Sequence, residues 1–372
     1  MGTTNRRLWL KQTSLAALGL GTTLRSLAGE DYLPRNFGSE SGLVNLGSNE
    51  NPYGISPRAK EAMMEMMKEA NRYYFSVPSL LPIAKDIGEH FGLKENQILL
   101  SPGSGEALHL LARHFSYGKI IAATPTFNTL PNSAKRLGAK VIEIPLTDAK
   151  VHDLPAMLRS IDKDTSLVYV CNPANPTGTI VSPQLLKDFC IEASRKTVVL
   201  IDEAYIDFLE APLNESMLGL IEKNPNILVL RTFSKIHAMA GMRFGFLAGH
   251  PDLIQKIDDN HFYGLQMCIS TLAMKAALAS LKDKEHQERS RTLNAAARKY
   301  TFDQLTAAGY TPIESYTNFI FFHLKNYPGD FAADMLKKNI LVRSNNTSGA
   351  KWGRVSIGLM EEMKVFGAAL KG

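Results

Sequence analysis

The chain has 372 residues, 45% hydrophobic and 21% charged, with a formal net charge of +6. That balance belongs to an ordinary globular protein, and the length predicts two lobes or one large α/β domain with an appendage. Four cations, Arg6, Arg7, Lys11 and Arg25, lie among the first 28 residues, where no acid occurs; taking these four from +6 leaves +2. A nearly neutral body with no basic stripe excludes an electrostatic case for nucleic acid. No run of about 18 apolar residues occurs, so no helix is expected to span a membrane.

The N-terminal "NRRLWLKQTSLAALGLGTTLRSLAGE" sets a positive stretch before a short apolar one and the small-residue pattern Ser26-Leu27-Ala28. This is the layout of a removable export signal, expected to end after Ala28. Its paired arginines resemble those of a twin-arginine signal, which serves proteins exported already folded, although Asn5 and Trp9 depart from the usual residues. The periplasm is then the expected destination; a cytoplasmic protein with an amphipathic N-terminal helix is the alternative. Cys171, Cys190 and Cys268 are widely spaced and odd in number, so buried free thiols are expected rather than a disulfide framework. The nine histidines show no paired-ligand spacing, and no metal site is expected.

Next comes "NLGSNENPYGISP", whose Asn, Gly and Pro density marks a loop. From Pro57 a helical period predicts one apolar face bearing Met63, Met66, Met67 and Ala70. "QILLSPGSGEALHLLARHF" reads as strand, glycine turn, helix. "KIIAATPTF", "AKVIEIPL", "TSLVYVCNPANPTG", "TVVLIDEAYIDF" and "NILVLRTFSK" are short β-branched runs, each ending in a polar or Gly/Pro turn. Such runs with helical crossovers predict an α/β fold with a mostly parallel sheet covered on both faces. The stretch 274–309 reads as one long helical region, and "NFIFFHL", "NILVRS" and "GRVSIG" as strands of a smaller α+β unit.

Ligands of an open parallel sheet bind beyond the carboxyl ends of its strands, and the unusual residues gather there. "SPGSGEAL", with Ser104 and Gly105, opens a helix after a strand and offers backbone N–H groups to an anion; a purely structural turn is the bland reading. "NPANPTG" presents the Asn175 amide, and "VVLIDEAYIDF" ends a buried strand at Asp202 with Tyr205 three residues on. A buried carboxylate needs a partner: a salt bridge ordinarily, otherwise a protonated ring nitrogen. "VLRTFSKIHAMAGMRFG" places Lys235 eight residues before Arg243. A desolvated lysine loses its charge and attacks carbonyls, and Arg243 with the Thr232 and Ser234 hydroxyls suits a phosphate. Phe127 in "TPTFNTL" offers an aromatic face. A phosphate, a ring nitrogen, a ring oxygen and an aldehyde are together the functional groups of pyridoxal 5′-phosphate.

These motifs, with "SNENPYG", "RYY" at 72–74, "ILVRS" and "GRVSIG", make the sequence resemble a fold-type I pyridoxal-phosphate aminotransferase, most of all the histidinol-phosphate aminotransferase family, from about residue 40 onward. The resemblance implies a mostly parallel central sheet covered by helices, with a smaller α+β domain. It implies an N-terminal arm over residues 29–55 joining that small domain, a large cofactor domain over 56–275 and the small domain over 276–372.

The resemblance also implies roles. Lys235 forms the imine with the cofactor and shuttles a proton, Asp202 pairs with the ring nitrogen, and Tyr205 and Asn175 serve the ring oxygen. Phe127 stacks, while Ser104, Gly105, Thr232, Ser234 and Arg243 hold the phosphate. Tyr73 reaches the phosphate of the other subunit of a homodimer with shared sites. Arg354 grips a substrate carboxylate and Arg343 a substrate phosphate. "RYYF" departs from the family's "RYP", and Phe127 stands where tyrosine is common. The expected activity is amino transfer between an amino acid or histidinol-phosphate-like amine and a 2-oxo acid such as 2-oxoglutarate. A decarboxylase of the threonine-phosphate type is the alternative. Histidine biosynthesis is cytosolic, so an export signal points away from that pathway.

Overall fold

A computed structural model describes residues 42–262, 264–347 and 349–371; the export signal expected over 1–28 lies outside the described residues. Seven strands form the main sheet: β2 (Ile98–Ser101), β3 (Lys119–Thr124), β4 (Val141–Pro145), β5 (Thr165–Cys171), β6 (Val198–Asp202), β7 (Ile227–Thr232) and β8 (Gly245–Gly249). Their spatial order is β2-β8-β7-β6-β5-β3-β4, with β3 to β7 parallel and β8 antiparallel to both of its neighbours.

Alternation along each strand buries both faces. Val168, Val170, Val199, Ile201, Ile227 and Val229 face one way, against the helices Pro57–Met66, Pro183–Ser194 and Thr271–Lys282. Leu167, Tyr169, Leu200, Leu228 and Leu230 face the other, against Ser104–His114, Thr129–Arg136 and Pro251–Ile257. A sheet covered on both faces needs continuous apolar runs, which is why these strands lack a polar stripe.

A second, antiparallel sheet takes the order β12-β13-β10-β9, from β9 (Thr311–Pro312), β10 (Phe319–His323), β12 (Arg343–Thr347) and β13 (Ala350–Ser356). The run "ILVRS" divides between sheets. β11 (Ile340–Leu341) pairs in parallel with β1 (Val44–Asn45), while Arg343 onward pairs with β13 and sets Arg343 opposite Arg354.

Three expectations need correction. The apolar face from Pro57 ends at Met66, because the chain tightens into a 3₁₀ turn over Met67–Glu69. Three residues per turn rotate the following side chains off the buried stripe, so Met67 is 59% exposed and Ala70 is exposed too. The helical region 274–309 breaks at Asp283, whose carboxylate accepts from the His286 N–H and starts a new helix, Lys284–Ala307. Cys171 and Cys190 are buried free thiols, but Cys268 is exposed on the 3₁₀ turn Leu265–Cys268.

Candidate active site

Parallel strands end together, so β5, β6 and β7 deliver Cys171, Asp202 and Thr232 to one edge. The antiparallel β8 starts where they end, which brings Arg243 to that edge as well. The loop from β7 to β8 is held at its base by the Phe233 N–H bond to the Phe244 carbonyl (3.0 Å) and by both buried rings, 5.0 Å apart. Lys235 therefore projects from a fixed turn. Arg243 itself takes a left-handed backbone conformation (φ 54°), a strain of about 1 kcal/mol retained where the guanidinium is aimed.

A cavity of about 330 Å³ opens at this edge. Among its lining residues are Ser104, Gly105, Phe127, Asn175, Asp202, Tyr205, Ser234, Lys235, Arg243 and Arg354. Thr232 stands behind it: its hydroxyl donates to Ser234 Oγ at 3.0 Å, and Ser234 Oγ also accepts from Arg243 at 3.3 Å. Tyr73 (62% exposed) and Arg343 are not in the lining. Arg343 lies at the approach, its Nε 3.2 Å from the Gly47 carbonyl.

Sequence reasoning missed Asn49 and Glu50 as lining residues, and Tyr169 and Ser356 as supports. The quoted "SNENPYG" was the signal for the first pair; nothing local singles out the second.

The cavity's polar groups fit the four demands of pyridoxal 5′-phosphate. Asp202, 1% exposed, accepts from the Tyr169 hydroxyl and the Ala204 N–H, both at 3.1 Å, and takes part in no ion pair among the described residues. Its neighbour Glu203 is equally buried but is met by Arg231 (3.1 Å), Ser216 (2.6 Å) and the Met217 N–H (2.7 Å). Burial pushes the Asp202 carboxyl up to about 6, partly offset by Tyr169. A carboxylate buried in this way, with no ion pair among the described residues, suits a cationic group such as a protonated ring nitrogen on the cavity side.

The helix Ser104–His114 has no side-chain cap at Gly103, so its first N–H groups are left for an anion, aided by the helix dipole. Gly103 has a positive φ of 86°, which favours glycine, and a Cβ there would crowd the Arg243 guanidinium beside the helix start and push it aside. The Lys235 ammonium donates to the Asn49 carbonyl at 3.0 Å. Desolvation first, then Arg354 and Arg243, lower its pKa to about 8 against the pull of Glu50 and Asp202. About a tenth of such a lysine is neutral at pH 7, several hundred times more than for an ordinary one. The lysine is thus a nucleophile in waiting. Arg354, also lowered by burial, donates to Asn175 Oδ1 (2.9 Å) and to the Gly47 carbonyl (3.2 Å).

Fold and site together define a fold-type I pyridoxal 5′-phosphate enzyme. Residues 41–370 match the family "Aminotransferase class I and II". A histidinol-phosphate aminotransferase of Brevibacillus brevis is 34% identical over 335 residues, 89% of this chain and 90% of that one. The crystal structure of the histidinol-phosphate aminotransferase from Clostridium acetobutylicum superposes with a TM-score of 0.80 at 27% identity, covering 89% of this chain and 98% of that one. That of Sinorhizobium meliloti, a complex with pyridoxal 5′-phosphate, has a TM-score of 0.79 at 22% identity, covering 88% and 89%. The chain belongs to the aminotransferase class I and II family and is a pyridoxal-phosphate-dependent aminotransferase.

Proposed function

We propose that the amino donor carries an anionic group remote from its amine, as the phosphate of histidinol phosphate is, and that a 2-oxo acid such as 2-oxoglutarate is the acceptor. One observation carries this reading. The Arg343 and Arg354 guanidinium groups converge on the same Gly47 carbonyl, each at 3.2 Å. Arg354 sits in the cavity wall and Arg343 outside it, so a small carboxylate engages Arg354 while a longer anionic donor spans both.

Bound pyridoxal 5′-phosphate supplies a carbonyl for the amine and a ring that withdraws electrons from the substrate Cα. The chain does the rest. Ser104 and Gly105 N–H groups, Ser234 and Arg243 bind the phosphate, with Thr232 orienting Ser234. Phe127 covers one face of the ring. Asp202 holds a proton at the ring nitrogen, and Tyr205 with the second N–H of the Asn175 amide serves the ring oxygen. Lys235 would hold the carbonyl end of the cofactor and, as a neutral amine in the cavity, is placed to accept a proton from the substrate Cα.

The test is a panel of phosphorylated and unphosphorylated amino donors with 2-oxoglutarate, run on the wild type and on Arg343→Ala. A charge-assisted hydrogen bond is worth about 1.5–3 kcal/mol, so the variant is expected to lose about 10- to 100-fold in kcat/KM, for phosphorylated donors only. Equal losses on all donors would remove Arg343 from the specificity account. Carbon dioxide release without a 2-oxo acid would put the decarboxylase in its place.

We further propose that the active form is a homodimer to whose partner site Tyr73 contributes. Its support is that Met64, Met67, Tyr73, Phe75 and Leu81 are all exposed along one segment of the chain, with the Tyr73 and Phe75 rings stacked 5.4 Å apart. We also propose export through the residue 1–28 signal, in keeping with an enzyme that folds around a cofactor before crossing. Fractionation of cells carrying Arg6→Lys with Arg7→Lys is expected to retain the enzyme in the cytoplasm; export unchanged by the pair would remove the twin-arginine reading.

A further inference from the structure

The geometry points to Asn49 as a positioning residue: locked by Ser356, its amide occupies the Tyr205 oxygen and turns the phenol proton into the cavity. This rests on the cofactor reading above, since that proton then meets the ring oxygen.

The chain of donors is closed at each step. Asn49 sits in a left-handed turn (φ 53°), a conformation asparagine tolerates better than most residues. Its backbone N–H donates to Ser356 Oγ at 2.8 Å, so the Ser356 hydroxyl proton is free to be given away. That proton goes to Asn49 Oδ1 at 3.0 Å. The amide orientation follows: Asn49 Nδ2 faces the Tyr205 hydroxyl oxygen at 3.1 Å.

On the other side of the same oxygen stands Asn175 Nδ2 at 3.3 Å, its own Oδ1 taken by Arg354 at 2.9 Å. Ser356 and Arg354 are two residues apart on β13 and so face the same way, which lets one strand fix both amides. A phenol oxygen has two lone pairs. Two N–H donors fill both, and the O–H can then only donate outward.

All of this is buried: Asn49 is 2% exposed, Asn175 5%, Tyr205 4% and Ser356 4%. The charged groups bearing on Tyr205, namely Arg354, Asp202 and Lys235, belong to other residues and stay in place when the Asn49 side chain changes. The Asn49 backbone carbonyl, which receives Lys235, stays as well.

Hydrogen bonds to an anionic oxygen favour it over its protonated form, so weakening the Tyr205 donor raises the pH at which the bound cofactor's visible band changes. Asn49→Gly keeps the left-handed turn, removes the amide and adds no charge; Asn49→Asp keeps the shape but replaces the donor by a carboxylate, which diverts the phenol proton and adds a negative charge that raises the midpoint further. In holoenzyme without substrate, the midpoint is expected to rise by about half a unit to one unit in Asn49→Gly and by more in Asn49→Asp. Ser356→Ala, which frees the amide to turn, is expected to give a smaller rise.

The deciding arm is a double-mutant cycle. In a Tyr205→Phe background, Asn49→Gly is expected to move the midpoint no further, because its target is gone. A shift in that background as large as in the wild type would overturn the proposal, as would single variants that titrate like the wild type. A wild type that binds no cofactor, and so has no visible band, would be a failure of the cofactor reading, separate from this one.

Discussion

Lys235→Ala is expected to leave a folded protein that binds pyridoxal 5′-phosphate through the phosphate cradle but transfers amino groups at least about 10⁴-fold more slowly. The magnitude follows from losing a positioned proton carrier together with a covalent anchor, since general acid–base catalysis alone contributes about 10²–10⁴-fold. Alanine removes a desolvated ammonium whose pKa burial has already driven down to about 8, so no stabilising ion pair is lost. Single-turnover measurements with an amino donor check the point. Retention of more than a few per cent of the wild-type rate would mean that another base moves the proton.

Asp202→Asn is expected to lower kcat by about 10²- to 10³-fold, the usual cost of deleting one preorganised charge partner. Its stability effect runs the opposite way. The folded-state pKa of about 6 lies above the unfolded 3.8, so the carboxyl favours the cofactor-free fold below about pH 4 and loses that contribution as pH rises through 6. The difference amounts to about 3 kcal/mol. Cofactor-free Asp202→Asn is therefore expected to gain melting temperature relative to the wild type, by an amount that grows from about pH 4 to about pH 6 and then levels off. With the cofactor bound the gain should vanish, because the ring nitrogen then offsets the buried charge. A gap that does not change with pH would mean that Asp202 is already paired.

What could be read from the sequence was whatever the chain states locally. Each β-branched run became a strand, and because parallel strands end together, Asp202, Asn175 and Lys235 meet without further information. β8 was not foreseen: "GFLAG" has no β-branched residue, and its place rests on pairing with strands on both sides. Asn49 lies in "SNENPYG", but its role is invisible there because its hydroxyl partner Ser356 lies 307 residues away. Met67 was assigned to a buried face because a hydrophobic period does not reveal where a helix tightens into a 3₁₀ turn. Loop residues acquire function through distant contacts, and periodicity carries no trace of those.

The central claim is that Lys235 joins the chain to pyridoxal 5′-phosphate. Borohydride treatment of the wild-type holoenzyme, followed by peptide mass mapping, tests it directly. One pyridoxyl adduct per chain is expected, on Lys235, and none after Lys235→Ala. An adduct on another lysine, or a protein that takes up no cofactor, would contradict it.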